Sequence, residues 1–153
     1  MEWSEFSFVL RPSQLGGIGV FAAHDLEADT LIFRRFHELR ILKIKDIPRD
    51  FLKYCIYISD EEVVAPERFD RMEIGWFINH ADDPNIENRH FIRNTKRSSI
   101  AEMLSDMKIR SIFTKKPIKA GEEILINYNN LNEPSHLKEA YYRPYSSVIA
   151  NSP

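Results

Sequence analysis

A mainly β or α+β domain is predicted from three features of the chain. Its apolar runs are short and of strand length, turn residues close nearly every run, and small helical patterns stand between them. A doubly wound sheet would need strands alternating with long helices, and the sequence offers no such alternation. At 153 residues one domain with its own core is expected.

The elements follow in order. Phe6 to Leu10 (FSFVL) reads as a strand, closed by Pro12, Ser13 and the pair Gly16-Gly17. Val20 to Ala23 and Thr30 to Phe36 (TLIFRRF) read as strands around the polar corner HDLEAD, and Leu39 to Ile44 as another. Asp46 offers an N-cap and Pro48 an early helical position. Ile47, Phe51, Leu52 and Cys55 then fall at helical spacing, which predicts a helix over about 48–57.

Pro66 opens a second short helix, with Phe69, Met72 and Trp76 near one face, running into Phe77–Asn85 (FINHADDPN). Arg89 to Arg97 (RHFIRNTKR) reads as a solvated basic loop. Ser99 with Glu102 makes a capping box, and Ile100, Met103, Leu104 and Met107 complete a third helix. Ile109–Thr114 and Glu123–Tyr128 read as strands flanking the turn PIKAGEE. A short helix near Ser135–Tyr142 and a flexible 146–153 tail end the chain.

Apolar residues make up 43% and charged residues 29%, the profile of a globular protein. A formal net charge of −2 does not favour a nucleic-acid surface, so no direct nucleic-acid partner is expected. Cys55 is the sole cysteine, which excludes an internal disulfide and a cysteine-rich zinc cluster. No apolar run approaches the roughly 18–20 residues of a membrane span, and MEWSEFSF lacks the features of a signal peptide. The expectation is a soluble intracellular protein without a membrane partner, in cytoplasm or nucleus, with secretion as an effector left open.

Two motifs invite other readings. Gly17 to Ala22 satisfies the GxGxxA dinucleotide pattern, with Glu38 downstream. That chemistry needs a helix opening at the glycines, whereas Asp25, Asp29, Thr30 and Ile32 interrupt any such helix, so a tight turn between strands is expected instead. His80, Asp82, Asp83 and His90 contain possible metal ligands, but at no diagnostic spacing, and no metal is expected.

Three segments in order carry a more specific signal: GGIGVFAAHDLEADTLI, FINHADDPN and IKAGEEILINY. Together they resemble the SET-domain family of protein lysine methyltransferases, over roughly residues 6–130. The first is similar to the family's GxG strand-turn-strand, the second to its NHSCxPN loop, the third to its GEELTxDY strand. The resemblance implies a single SET domain over 1–145 with a variable insert at about 40–70. It also implies a β-clip-like fold whose C-terminal segment threads through a loop, an arrangement rare elsewhere.

The resemblance further implies S-adenosyl-L-methionine as cofactor and a lysine ε-amine of a basic protein as acceptor. Gly16, Gly17, Ile18 and Gly19 would present backbone groups to the cofactor's methionine end. Asn79 would bind that end by its side chain, and His80 would meet the adenine. Tyr128 would be the catalytic tyrosine beside the transferred methyl. Tyr54, Tyr57, Phe77, Tyr141 and Tyr142 are candidates for an aromatic channel, which would favour the neutral amine by desolvation.

The chain departs from the family in several places. Ala81-Asp82 replaces Ser-Cys, Ile126 a frequent tyrosine and Asn127 an aspartate, and Trp76 stands where a polar residue is common. The cysteine-rich zinc tail is missing, so Tyr141, Tyr142 and Tyr145 are candidates to cap the adenine, with a pocket that stays open in the isolated protein, or closes in an oligomer, as the alternatives. These departures keep a second reading open, a non-enzymatic SET-like interaction module.

Overall fold

The computed structural model describes residues 4–33, 39–89, 111–131 and 133–143. The expected helix at 99–107, the basic loop beyond Arg89, the strand residues beyond Phe33, His90, Tyr145 and the tail lie outside them.

Strands β1 (Phe8–Pro12) and β2 (Ile18–Ala22) form an antiparallel hairpin, from Phe8 opposite Ala22 to Pro12 opposite Ile18. Pro12 is tolerated because it ends its strand, where no ladder donor is required. Gly16 and Gly17 reverse the chain at φ +111° and +65°, a region that glycine enters freely and side-chain-bearing residues rarely. The turn glycines thus join two strands, as the tight-turn reading expects.

β3 (Leu31–Phe33), β8 (Ile86–Arg89) and β9 (Ser111–Thr114) make an antiparallel sheet with β9 central. Thr114 ties its loops together: it is fully buried, its hydroxyl donates to Glu27 O at 2.6 Å and accepts from Thr30 N at 2.8 Å.

β4 (Leu39–Lys43), β5 (Ile56–Tyr57) and β6 (Glu62–Pro66) form a second three-stranded sheet in the order β4-β6-β5. This is the region expected to vary. β6 was not anticipated, because Pro66 reads as a helix start. It instead ends the strand opposite Leu39, and its carbonyl accepts from Arg40 Nε at 2.9 Å. Val63, Val64 and Ala65 are all buried, so this central strand is apolar on both faces and lacks the alternation that marks a half-exposed one.

The expected helices shrink to 3-10 segments of three to six residues at Arg49–Tyr54, Ile74–Phe77 and Ser135–Leu137. None is long enough to satisfy a helical ladder, so propensity yields to tertiary packing. Asp46 belongs to a separate 3-10 turn, Ile44–Asp46, and Pro48 takes the N-cap place.

β7 (Asn79–His80) and β10 (Leu125–Ile126) pair in parallel. The expected strand Glu123–Tyr128 is therefore shorter. Glu123 forms an isolated bridge to Phe21, and Tyr128 starts a 3-10 turn that runs to Leu131. The core beneath is built largely of isoleucine, with Ile32, Ile78, Ile86, Ile112, Ile118, Ile124 and Ile126 packed around Val20, Ala22 and Leu26. Each such side chain contributes about 1.5–3 kcal/mol by leaving water, which these short strands need.

Candidate active site

The segment from Asn79 to Asn85 is laid along β10 by hydrogen bonds. Ala81 N donates to Ile126 O at 3.0 Å, and Asn85 N to Leu125 O at 3.2 Å. The Asn85 side chain continues the ladder: Nδ2 donates to Glu123 O at 2.7 Å, and Oδ1 accepts from Leu125 N at 2.8 Å. Asn85 thus replaces two backbone partners that Pro84 and the turn do not supply.

At the other end of β7, Asn79 meets the glycine turn. Its Nδ2 donates to Ile18 O at 3.1 Å and to Glu123 Oε1 at 2.8 Å. Glu123 Oε2 accepts from the Ser13 hydroxyl at 2.9 Å, so one carboxylate links hairpin turn and loop. Gly19 is buried in this contact. A Cβ there would collide with the Glu123 carboxylate and lie 3.1 Å from Asn79 Nδ2.

Gly16 and Gly17 lie on the open side of the turn, where a Cβ would meet nothing within 4 Å. Gly16 N donates to Ser13 O at 3.2 Å, and Gly17 O accepts from Ser13 N at 3.0 Å, so these two groups already serve the turn. Ile18 is 47% exposed.

His80 points inward. Tyr128 N donates to its Nδ1 at 3.1 Å, so in the neutral ring the proton sits on Nε2, which donates to Asp82 Oδ1 at 3.1 Å. The imidazole packs against Tyr128, Tyr141 and Tyr142 with ring centroids 5.3, 6.3 and 5.7 Å away. Tyr128 and Tyr142 meet edge to face at 5.2 Å. Tyr142 is buried, whereas Tyr141 is 69% exposed and forms the outer lip.

The Tyr128 hydroxyl donates to Ile78 O at 2.7 Å. Burial, with Tyr141 beside it, holds that hydroxyl well above the usual phenol range, so it is a neutral donor at pH 7. Beside it lies a cavity of about 210 Å³. Apolar walls come from Ile56, Ile78, Ile112, Ile126 and Leu131, aromatic ones from Tyr54, Tyr57, Trp76, Tyr141 and Tyr142. Of the channel candidates only Phe77 is off the wall; it stands against Tyr54, centroids 5.8 Å apart.

Sequence reasoning missed Glu123 and Glu133. Glu133 holds the last described segment in place: Oε1 accepts from the Tyr142 hydroxyl and Oε2 from Tyr57 N, both at 2.9 Å. Asn129 Nδ2 adds a bond to Tyr142 O at 2.9 Å. Nothing in the spacing of Glu133 announces this role. Of the acidic residues outside the site, Asp60 lies 2.7 Å from His136 and Asp83 3.3 Å from Lys116.

The glycine turn, Asn79, His80, Tyr128, Tyr141 and Tyr142 therefore form one continuous chain of contacts, of which the three tyrosines line the cavity. Among the described residues no helix is long and apolar enough to cross a membrane.

The sequence profile of the SET domain matches residues 17–129. No curated protein matches the chain in sequence. The fold is similar to the crystal structure of a proposed histone methyltransferase of Plasmodium falciparum, with a TM-score of 0.50 and 22% identity. That match covers 80% of this chain and 93% of the other. The three motifs, the small antiparallel sheets and the profile match agree: this chain belongs to the SET-domain family.

Proposed function

We propose that the protein is an S-adenosyl-L-methionine-dependent lysine N-methyltransferase acting on a basic protein or peptide. The observation that carries the reading is convergence. Gly19, Asn79, His80 and Tyr128 come from distant parts of the chain and meet in one continuous set of contacts, which reaches a largely apolar cavity at Tyr128.

The residues present suit the cofactor. Among the described residues Asn79 Oδ1 has no hydrogen-bond partner, and the Glu123 carboxylate lies beside it, a pair suited to an amino acid's ammonium. The open side of Gly16 and Gly17 admits close approach, and Tyr141, exposed and packed against His80 and Tyr142, offers a ring face for an adenine. When bound, the cofactor supplies an electrophilic methyl on a sulfonium.

The chain's own part is desolvation and alignment. A lysine amine is mostly ammonium at pH 7, a deficit of roughly 4–5 kcal/mol toward the neutral form. The apolar walls around Ile56, Ile112 and Ile126 disfavour the charged form. Holding the amine in line for transfer supplies roughly 7–11 kcal/mol of the barrier reduction. The neutral Tyr128 hydroxyl, fixed by Ile78 O, orients the nitrogen without removing its proton.

A second reading, a non-enzymatic interaction module, draws on one observation: Asn79 Nδ2 and both His80 ring nitrogens are already bonded within the chain. Labelled-methyl transfer from the cofactor into core histones decides between them. The wild type transfers label, and Tyr128→Phe loses about a hundredfold or more while its fold is retained. Full activity in that variant overturns the role of Tyr128. No transfer or cofactor binding, with stable capture of a protein partner, favours the module.

A further inference from the structure

Glu133 lies beyond the stretch that matches the SET profile, yet it forms part of the cavity wall. It is 8% exposed. Its two hydrogen-bond donors, the Tyr142 hydroxyl and the Tyr57 backbone N–H, are neutral. Among the described residues no lysine, arginine or histidine forms an ion pair with it. Lys138 directs its Nζ to Asn129 Oδ1 at 2.9 Å, and Lys53 holds its Nζ over the Tyr54 ring, 5.1 Å from the centroid.

A buried carboxylate without a cation in ion-pair contact is costly, and burial pushes the Glu133 carboxyl above its usual range, against partial relief from the Lys138 charge. About four lone-pair sites exist on a carboxylate, and the two neutral donors fill half of them. Glu133 borders a cavity whose other walls are mostly apolar or aromatic. A cation entering that cavity would meet in Glu133 the buried carboxylate of its lining, where a charge-assisted bond is little screened by water.

We propose that Glu133 selects a cationic amine for this cavity, its remaining lone pairs receiving the ammonium of an incoming lysine side chain. The naming of lysine rests on the methyltransferase reading; the preference for an ammonium is a property of the cavity alone. Lysine is an ammonium at pH 7, so the entry step must accept a cation before the amine is made neutral. Glu139, exposed on the rim, adds a second carboxylate at the mouth.

The test titrates protein carrying 13C-labelled tyrosine with n-butylammonium chloride, and separately with n-butanol at matched salt, following the ring signals of Tyr57 and Tyr142. Butylammonium shifts them saturably at concentrations roughly tenfold below those needed for butanol. Glu133→Gln keeps the shape and an acceptor for Tyr57 N while removing the charge, and it abolishes the preference. Equal binding of both probes to the wild type, or a preference that survives in Glu133→Gln, overturns the proposal.

Should Glu133→Gln fail to fold, the wild type answers by pH. Butylammonium stays charged at acidic and neutral pH, and its affinity rises in step with ionisation of Glu133, which the 13C signal of its labelled carboxyl follows over the same titration. Facing Tyr57, Tyr128, Tyr141, Tyr142 and Cys55 remain neutral there because burial raises each of them. Glu139→Gln separates the rim carboxylate, and Lys53→Met and Lys138→Met do so for the two lysines. A flat affinity overturns the proposal. Calorimetry with S-adenosyl-L-methionine reads the enzyme assignment separately: cofactor binding without amine preference overturns selection alone, and amine preference without cofactor binding overturns the methyltransferase reading alone.

Discussion

The backbone N–H of Tyr128 donates to Nδ1 of His80 across 3.1 Å, so the loop histidine fixes the start of the turn that carries the tyrosine. The imidazole side chain is only 6% exposed, and no water can easily replace it as acceptor. His80→Leu strands that N–H and costs about 1–3 kcal/mol. His80→Asn places an amide oxygen near the Nδ1 position and recovers part of the loss. Denaturant unfolding of both variants checks this; equal destabilisation by Leu and Asn would show that the hydrogen bond is not the cause.

Gly19 and Gly16 differ in what a methyl group would meet. At Gly19 a Cβ is driven into Glu123, 2.8 Å from its Cδ, so Gly19→Ala displaces the carboxylate and with it Asn79. The expected cost is about 1–3 kcal/mol, with weakened cofactor binding. At Gly16 nothing lies within 4 Å, and only φ +111° opposes the substitution. Gly16→Ala therefore loses about 1–3 kcal/mol through backbone strain while leaving the Glu123–Asn79 contact in place. Thermal unfolding beside cofactor titration separates the two effects.

Cys55 lies on the cavity wall, where burial pushes its thiol up to about 11, against partial relief from Arg40. At pH 7.5 its thiolate population is then about a hundredfold below that of an ordinary cysteine thiol. Alkylation by iodoacetamide should be slow and should rise with pH without a plateau through pH 9. Rapid modification at neutral pH would contradict the burial.

The stability contributed by Glu133 has an unusual sign for a carboxyl. Its folded pKa is raised by burial, so the folded state binds the proton more tightly than the unfolded chain does. Stability from this group is present below the unfolded value and is lost as pH rises through the folded value. Urea unfolding from acidic to neutral pH should show the wild type losing ground relative to Glu133→Gln. A wild type that gains on the variant over the same range would reverse the assignment.

Much of this was legible in the sequence because it depends on local chemistry. Gly16-Gly17 forces a turn, Asn79-His80 ends an apolar run, and Tyr128 closes a strand motif, and those features led to the family. The insert was harder to read. β6 is buried on both faces and so lacks alternation, and Pro66 has the same local appearance at a strand end as at a helix start. The helical spacings around Phe51 and Trp76 came from side chains that pack on 3-10 turns too short to show a helical period. Glu123 and Glu133 were hidden because their partners Asn79 and Tyr57 are distant in the chain, Tyr142 lies at no regular spacing from Glu133, and a lone glutamate carries no periodic signal.

The central claim is that the glycine turn and the Asn79-His80 loop form one cofactor pocket. Calorimetric titration of the wild type and Asn79→Ala with S-adenosyl-L-methionine tests it most directly. The account predicts saturable binding to the wild type and at least about tenfold weaker binding to the variant, or roughly 1.4 kcal/mol. No binding at millimolar cofactor, or equal affinity in both proteins, would contradict it.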